Sequence, residues 1–203
     1  MSKKAILKVI KSYLEYEIRD KHGRLIEKKK LKSRTWTKNF MELMRVLFGE
    51  STSELVDTSG NPHGVSPSDL GSITAKAPEG NDSYGVLVGS SNTAPDKTSY
   101  ALNSKISHGD GSGQLHYMET SVSVVSLGDG EMDVYVSRDF KNNSGADINI
   151  GEVGLAVKLT LGGADNYFLI YHSALSSLVT VPADATITWK VHLKHTFVAT
   201  ETV

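Results

Sequence analysis

A chain of 203 residues, 39% of them hydrophobic, can bury one substantial core, which excludes disorder throughout. It contains no cysteine, which excludes a disulfide framework, a thiolate metal site and a cysteine nucleophile, and fits synthesis in a reducing compartment. The net charge of −1 hides a polarity: residues 1–50 hold 14 Lys and Arg against 6 Asp and Glu, while the remainder holds 8 against 17. Such halves attract head to tail between subunits, or the basic end faces nucleic acid or an acidic neighbour; lysine-rich strand faces that guard a sheet edge are the simpler reading.

The amino terminus is basic, but lysines interrupt its apolar residues and no small-residue cleavage site follows, so a secretory signal is not expected. No run of about 18 apolar residues occurs, and no membrane partner is expected. Residues 5–19 place Ile6, Ile10, Leu14, Tyr16 and Ile18 at an imperfect period of two, against a helical rival in Ile6, Ile10, Tyr13 and Leu14. Asp20–Arg24 reads as a turn with Gly23 at positive φ, so 5–33 is predicted to be a hairpin. Trp36, Phe40, Leu43, Met44, Leu47 and Phe48 then fall on one face of an amphipathic helix, with Thr35 or Thr37 as N-cap and Gly49 as terminator.

Residues 50–81 dissolve into Ser, Thr, Gly, Pro and Asn, with Leu55–Val56 and Leu70–Ala75 as weak strands; a long irregular loop of this kind suits partner contacts. Strands are predicted over Tyr84–Val88, Gln114–Ser126, Glu131–Phe140, Ile148–Leu161, Asn166–His172 and Thr186–Val198. In Arg138–Leu155 two of them are read as joined by a tight Asn143-Ser144-Gly145 turn. The expected fold is mainly β: an antiparallel, jelly-roll-like β-sandwich with an N-terminal β-hairpin and one amphipathic α-helix. It divides into a hairpin-and-helix element (1–49), an irregular region (50–83) and the sandwich core (84–203), all one domain.

Catalytic and metal patterns fail on spacing. His192 and His195 lie three apart in a strand and face opposite ways, while His63, His108, His116 and His172 show no ligand spacing. Gly109–Gly113 leads into a strand rather than from a strand into a helix, so it lacks the context of a phosphate loop. Asp110, Asp129, Glu131 and Asp133 invite a calcium reading but lack the twelve-residue loop and its terminal glutamate. No Gly-x-Ser-x-Gly elbow exists. No enzyme, cofactor or metal is expected.

The motifs Gly85–Pro95, Tyr100–Gly109, Arg138–Gly145, Gly151–Leu155, Leu169–Ile170 and Val179–Ala183, with the turn and aromatic helix of 34–48, together resemble small structural proteins of tailed bacteriophages and related prokaryotic viruses. The lysine-rich hairpin departs from that group. The resemblance implies a virion component of the neck, tail or capsid surface, made in the host cytoplasm and assembled as a homo-oligomer against other virion proteins. Assembly contacts are expected at Ile6, Ile10, Leu14, Tyr16, Trp36, Phe40 and Met44, with nucleic acid a lesser expectation for the basic arm. Two alternatives stand beside it. One is a carbohydrate- or receptor-binding sandwich stacking sugars on Trp189, Tyr167, Tyr171 and Tyr117; the other is an extracellular filament whose N-terminal segment adds a strand to a neighbour's sheet.

Overall fold

The computed structural model describes residues 9–32, 36–128 and 131–196. Strands run β1 (Val9–Arg19), β2 (Leu25–Lys32), β3 (Ser53–Val56), β4 (Pro62–Val65), β5 (Gly85–Gly89), β6 (His116–Gly128), β7 (Glu131–Lys141), β8 (Ile148–Leu161), β9 (Ala164–Val181) and β10 (Thr186–Thr196), with helix α1 at Lys38–Leu47. The fold is mainly β, antiparallel and sandwich-like, with one helix. A five-stranded sheet in the order β2-β1-β10-β7-β6 faces a three-stranded sheet in the order β5-β8-β9, and β3 and β4 form a separate hairpin.

The N-terminal hairpin is part of the sandwich. The Asp20 carboxylate accepts the N–H groups of His22 and Arg24, and Gly23 takes a φ of 78°, so β1 turns directly into β2. β1 lies between β2 and β10, with Tyr16 opposite Trp189 and Ile18 opposite Ile187. Alternation then sends Leu14, Tyr16 and Ile18 inward, where the Tyr16 ring packs 4.9 Å from Trp189. Leu14, Tyr16 and Ile18 are thus spent on the subunit's own core. The lysines of the hairpin are also engaged locally: Lys28 reaches Glu17 at 2.6 Å and Glu15 at 3.4 Å, Lys29 pairs with Glu27, and Lys30 sits over the Tyr13 ring.

Three further sequence expectations change. β7 and β8 belong to different sheets, so Asn143-Ser144-Gly145 turns a corner between layers. Asn142 fixes that corner, its side-chain amide donating to the carbonyls of Ala146, Val181 and Pro182. β9 runs on to Val181, well past the expected His172, because Ile148–Ile150 pair with Val179–Val181. Within the irregular region, Leu70 lies in a 3-10 turn, Asp69–Ser72, and a hairpin of β3 and β4 appears. Helix α1 starts after Thr37 as expected and ends before Gly49, whose φ is +110°. The Thr37 hydroxyl, however, donates to the carbonyl of Leu169 on β9 and does not cap the helix.

β8 is buried along most of its length because both its faces are covered. One meets the five-stranded sheet; over the other runs the 90–106 segment, held by the buried Glu152, which accepts the N–H groups of Asn103 and Ser104 and lies 2.7 Å from His172 Nε2.

Arg138, on the inward face of β7, is almost wholly buried, and among the described residues no carboxylate forms an ion pair with it, Asp82 acting only from a distance. Its guanidinium donates to the carbonyls of Met118, Tyr84, Val86, Pro78 and Asn81. Burial pulls its pKa down to about 10, which leaves it charged at neutral pH. Arg138→Met should cost about 3–5 kcal/mol in urea unfolding, because the change strands several buried carbonyls. Arg138→Lys should recover little, since an ammonium cannot reproduce the planar fork. Leu14→Ala should likewise cost about 2–5 kcal/mol, while Lys29→Ala on the exposed edge should stay within about 0.5 kcal/mol.

Candidate functional site

The chemistry-bearing side chains fall into separate structural clusters. His192 and Asp133 meet on the outer face of the five-stranded sheet, with Nδ1 3.1 Å from both carboxylate oxygens and Tyr13 O–H donating to the same carboxylate at 2.7 Å. The Tyr13 ring stacks on His192 at 4.1 Å and Tyr135 tilts against it at 5.0 Å. Burial lowers the His192 pKa, against the opposing pull of Asp133, so the ring is neutral at pH 7 and Nδ1 donates. Nε2, the atom a general base would present to a substrate, is buried and without a partner. The triplet packs the sheet face.

His63 pairs with Asp57 in the β3–β4 hairpin and His172 with Glu152 in the core; of the four scattered histidines only His108 and His116 come together, their rings 4.8 Å apart. Burial opposes ionisation of Asp57, yet hydrogen bonds from Asn61, His63 and Ser59 bring its pKa down to about 2. Among the described residues no group of three or more His, Asp or Glu is placed to hold a metal ion. The calcium candidates do not assemble: Asp129 lies outside the described residues, as does the side chain of Glu131, and Asp133 is committed to Tyr13 and His192. In the glycine loop the Gln114 side-chain carbonyl accepts the N–H of Gly111 at 3.0 Å, filling the space an anion would take.

Three of the four aromatic residues considered for sugar stacking are withdrawn from solvent, and the fourth, Tyr167, is half-buried. Trp189, Tyr171 and Tyr117 are fully buried, and Tyr167 is stacked on Tyr84 at 5.6 Å.

What the surface offers instead is uncovered apolar area at two places. The first is α1. Asn39 docks it, donating to the carbonyls of Val56 and Leu169 and accepting the N–H of Val56, while Leu43 and Val46 enter the core. The opposite side carries Met41, Leu47 and Phe48, the last 84% exposed, and Met41, Met44, Arg45 and Phe48 line a shallow recess. The second is the far end of β6 and β7. β5 is only five residues long, so the three-stranded sheet stops short of Val122, Val124 and Met132; these, with Val125 and Leu127, are exposed.

The residues expected to make assembly contacts are placed differently. Leu14 and Tyr16 are buried inside the subunit, and Trp36 and Phe40 are half-buried, their rings 4.2 Å apart against the core. Met44 lies on the rim of the α1 recess. Ile10 is opposite His195 in the sheet, with its side chain outside the described set, and Ile6 lies outside the described residues. The sequence signal missed was the run Thr120–Leu127, whose valines occupy both faces of a strand; such a run needs cover on both sides.

Comparison with protein-family models, with curated proteins and with solved structures found no match.

One surface cluster generates a pH prediction. His116 bridges Glu79 and Asp110 at 2.9 and 3.1 Å, tying the 79–82 loop to the glycine loop. The hydrogen bond to Glu79 raises the His116 pKa, with Asp110 adding to it, so this part of the clasp is complete below the ordinary histidine value and fades as pH rises through the raised one. Glu79 is held low by His116, and Asp110 by Asn143 and His116, so their part fades as pH falls through the lowered values. Amide exchange in both loops, corrected for intrinsic rates, should be slowest between about pH 5 and 6.5. His116→Gln should flatten the dependence.

Proposed function

We propose that this chain is a non-enzymatic structural subunit that self-assembles and contacts neighbouring subunits. The observation that carries the reading is the pair of uncovered apolar surfaces, on α1 and at the β6–β7 end, on a sandwich whose core is otherwise closed. Contiguous exposed apolar area of this kind marks sites of protein contact, and a rigid double sheet holds such patches at fixed angles, as repeated assembly requires. The resemblance of the turn and strand motifs adds the context: a virion component at the neck, tail or capsid surface, synthesised in the host cytoplasm, with other virion proteins as further partners. The carbohydrate alternative loses support because three of its four aromatic residues, Trp189, Tyr171 and Tyr117, are in the core.

Light scattering of the purified chain should give a defined multiple of 22.0 kDa. The mass should persist at high salt, since the two uncovered surfaces are apolar and screening does not weaken their burial. Negative-stain images should show a discrete ring, tube or closed oligomer. A monomer at every concentration would count against self-assembly.

A further inference from the structure

Among the described residues, the edges of β5, of the first half of β9 and of β2 are covered or guarded, while a stretch of β6 is not. β5 is flanked by the 104–106 segment, with Ser90 N–H donating to the Ser104 carbonyl and Ile106 N–H to that of Val88. β9 is flanked by Thr37 N–H donating to Ile170 and Thr58 N–H to Tyr167. β2 presents Lys28, Lys29, Lys30 and Lys32, the residues that keep an open edge from pairing. On β6 the N–H of Thr120 donates outward to the Ala77 carbonyl. From Thr120 to Ser126 the pairing with β7 continues without a bulge, so the N–H and carbonyl groups of Val122, Val124 and Ser126 also face away from β7. Among the described residues nothing pairs with them.

This bare stretch has the composition of a pairing strand. Thr120–Leu127 contains no charge, no proline and no glycine, and four of its residues, Val122, Val124, Val125 and Leu127, are exposed apolar side chains, Val124 at 62%. We propose that β6 is a homotypic assembly edge: the Val122–Leu127 segment pairs antiparallel with the same segment of a second copy, joining two five-stranded sheets into one ten-stranded sheet. The inference rests on the self-assembly reading above and names its interface. A second β6 suits this edge better than β2 of another copy, because an uncharged strand meets its own copy without repulsion, whereas the β2 lysines would be desolvated with no acidic residue opposite them. The two-fold arrangement is closed and self-complementary, and it places valine beside valine across the new pair.

Val124→Pro tests this directly. It removes an N–H that the subunit does not use, so the fold should survive, as an unchanged circular dichroism spectrum would show. By symmetry the dimer loses two backbone hydrogen bonds, and its dissociation constant should rise about thirtyfold. Because the chain has no cysteine, single variants from Val122→Cys to Val125→Cys report proximity cleanly. One or two neighbouring positions should cross-link into dimers under mild oxidation, while Lys29→Cys on β2 should not. If the native chain is oligomeric but Val124→Pro leaves its mass unchanged and no β6 cysteine cross-links, the β6 interface is overturned while self-assembly stands. If the native chain is monomeric at every concentration, both fall.

Discussion

Arg138 sets the arrangement around which the sandwich closes. A buried guanidinium must place its donors, and here they go to backbone carbonyls of Pro78, Asn81, Tyr84, Val86 and Met118. Those carbonyls belong to the segment entering β5, to β5 itself and to β6, so one side chain of the five-stranded sheet ties in the leading strand of the other. Gly85, at φ +82°, lets the chain pass close to this point; a Cβ there would lie 2.4 Å from Thr120 Oγ1. The aromatic ring of Tyr117, 4.7 Å from the guanidinium, adds a cation–π contact on the core side.

The two sheets are unequal, and this inequality produces the surface on which the functional reading depends. A three-stranded layer covers the middle of a five-stranded one, and loops from 90–106, α1 and the β3–β4 hairpin close the outside of the smaller layer. The far end of β6 and β7 receives no such cover. The same strands that build the core near Tyr117 and Phe140, whose rings lie 4.7 Å apart, therefore continue as a two-sided apolar hairpin. The polar clusters follow the opposite logic. The carboxylates of Glu152, Asp57 and Asp133 accept from neighbouring backbone or side chains, and the histidine beside each, His172, His63 and His192, turns one ring nitrogen to it, which positions loops and strands.

Much of the architecture was legible because it is local. The turn at Gly23, the helix between Thr37 and Gly49 and most strands follow from periodicity and positive-φ positions that a few adjacent residues specify. The extension of β9 through Ser173–Val181 was not legible, since Ser, Ala and Leu there show no strict alternation and the strand is held by pairing with β8. That Leu14 and Tyr16, read from the sequence as candidate contacts, lie in the core was not legible for a related reason. An apolar stripe on a strand shows that something must cover it, and only the partner strand, here β10 carrying Trp189, shows that the cover is internal.

The sequence by itself determined the class of the fold, the turns, the single helix and the lack of any cysteine chemistry, because these depend on residue type and on neighbours a few positions away. The tertiary structure alone decided that β7 and β8 part into different sheets, that the N-terminal hairpin sits inside the larger sheet, which five carbonyls Arg138 holds, and which edge of β6 is left open. Each of these depends on contacts between residues far apart in the chain, and hydrophobic patterning records the need for burial without naming the surface that meets it.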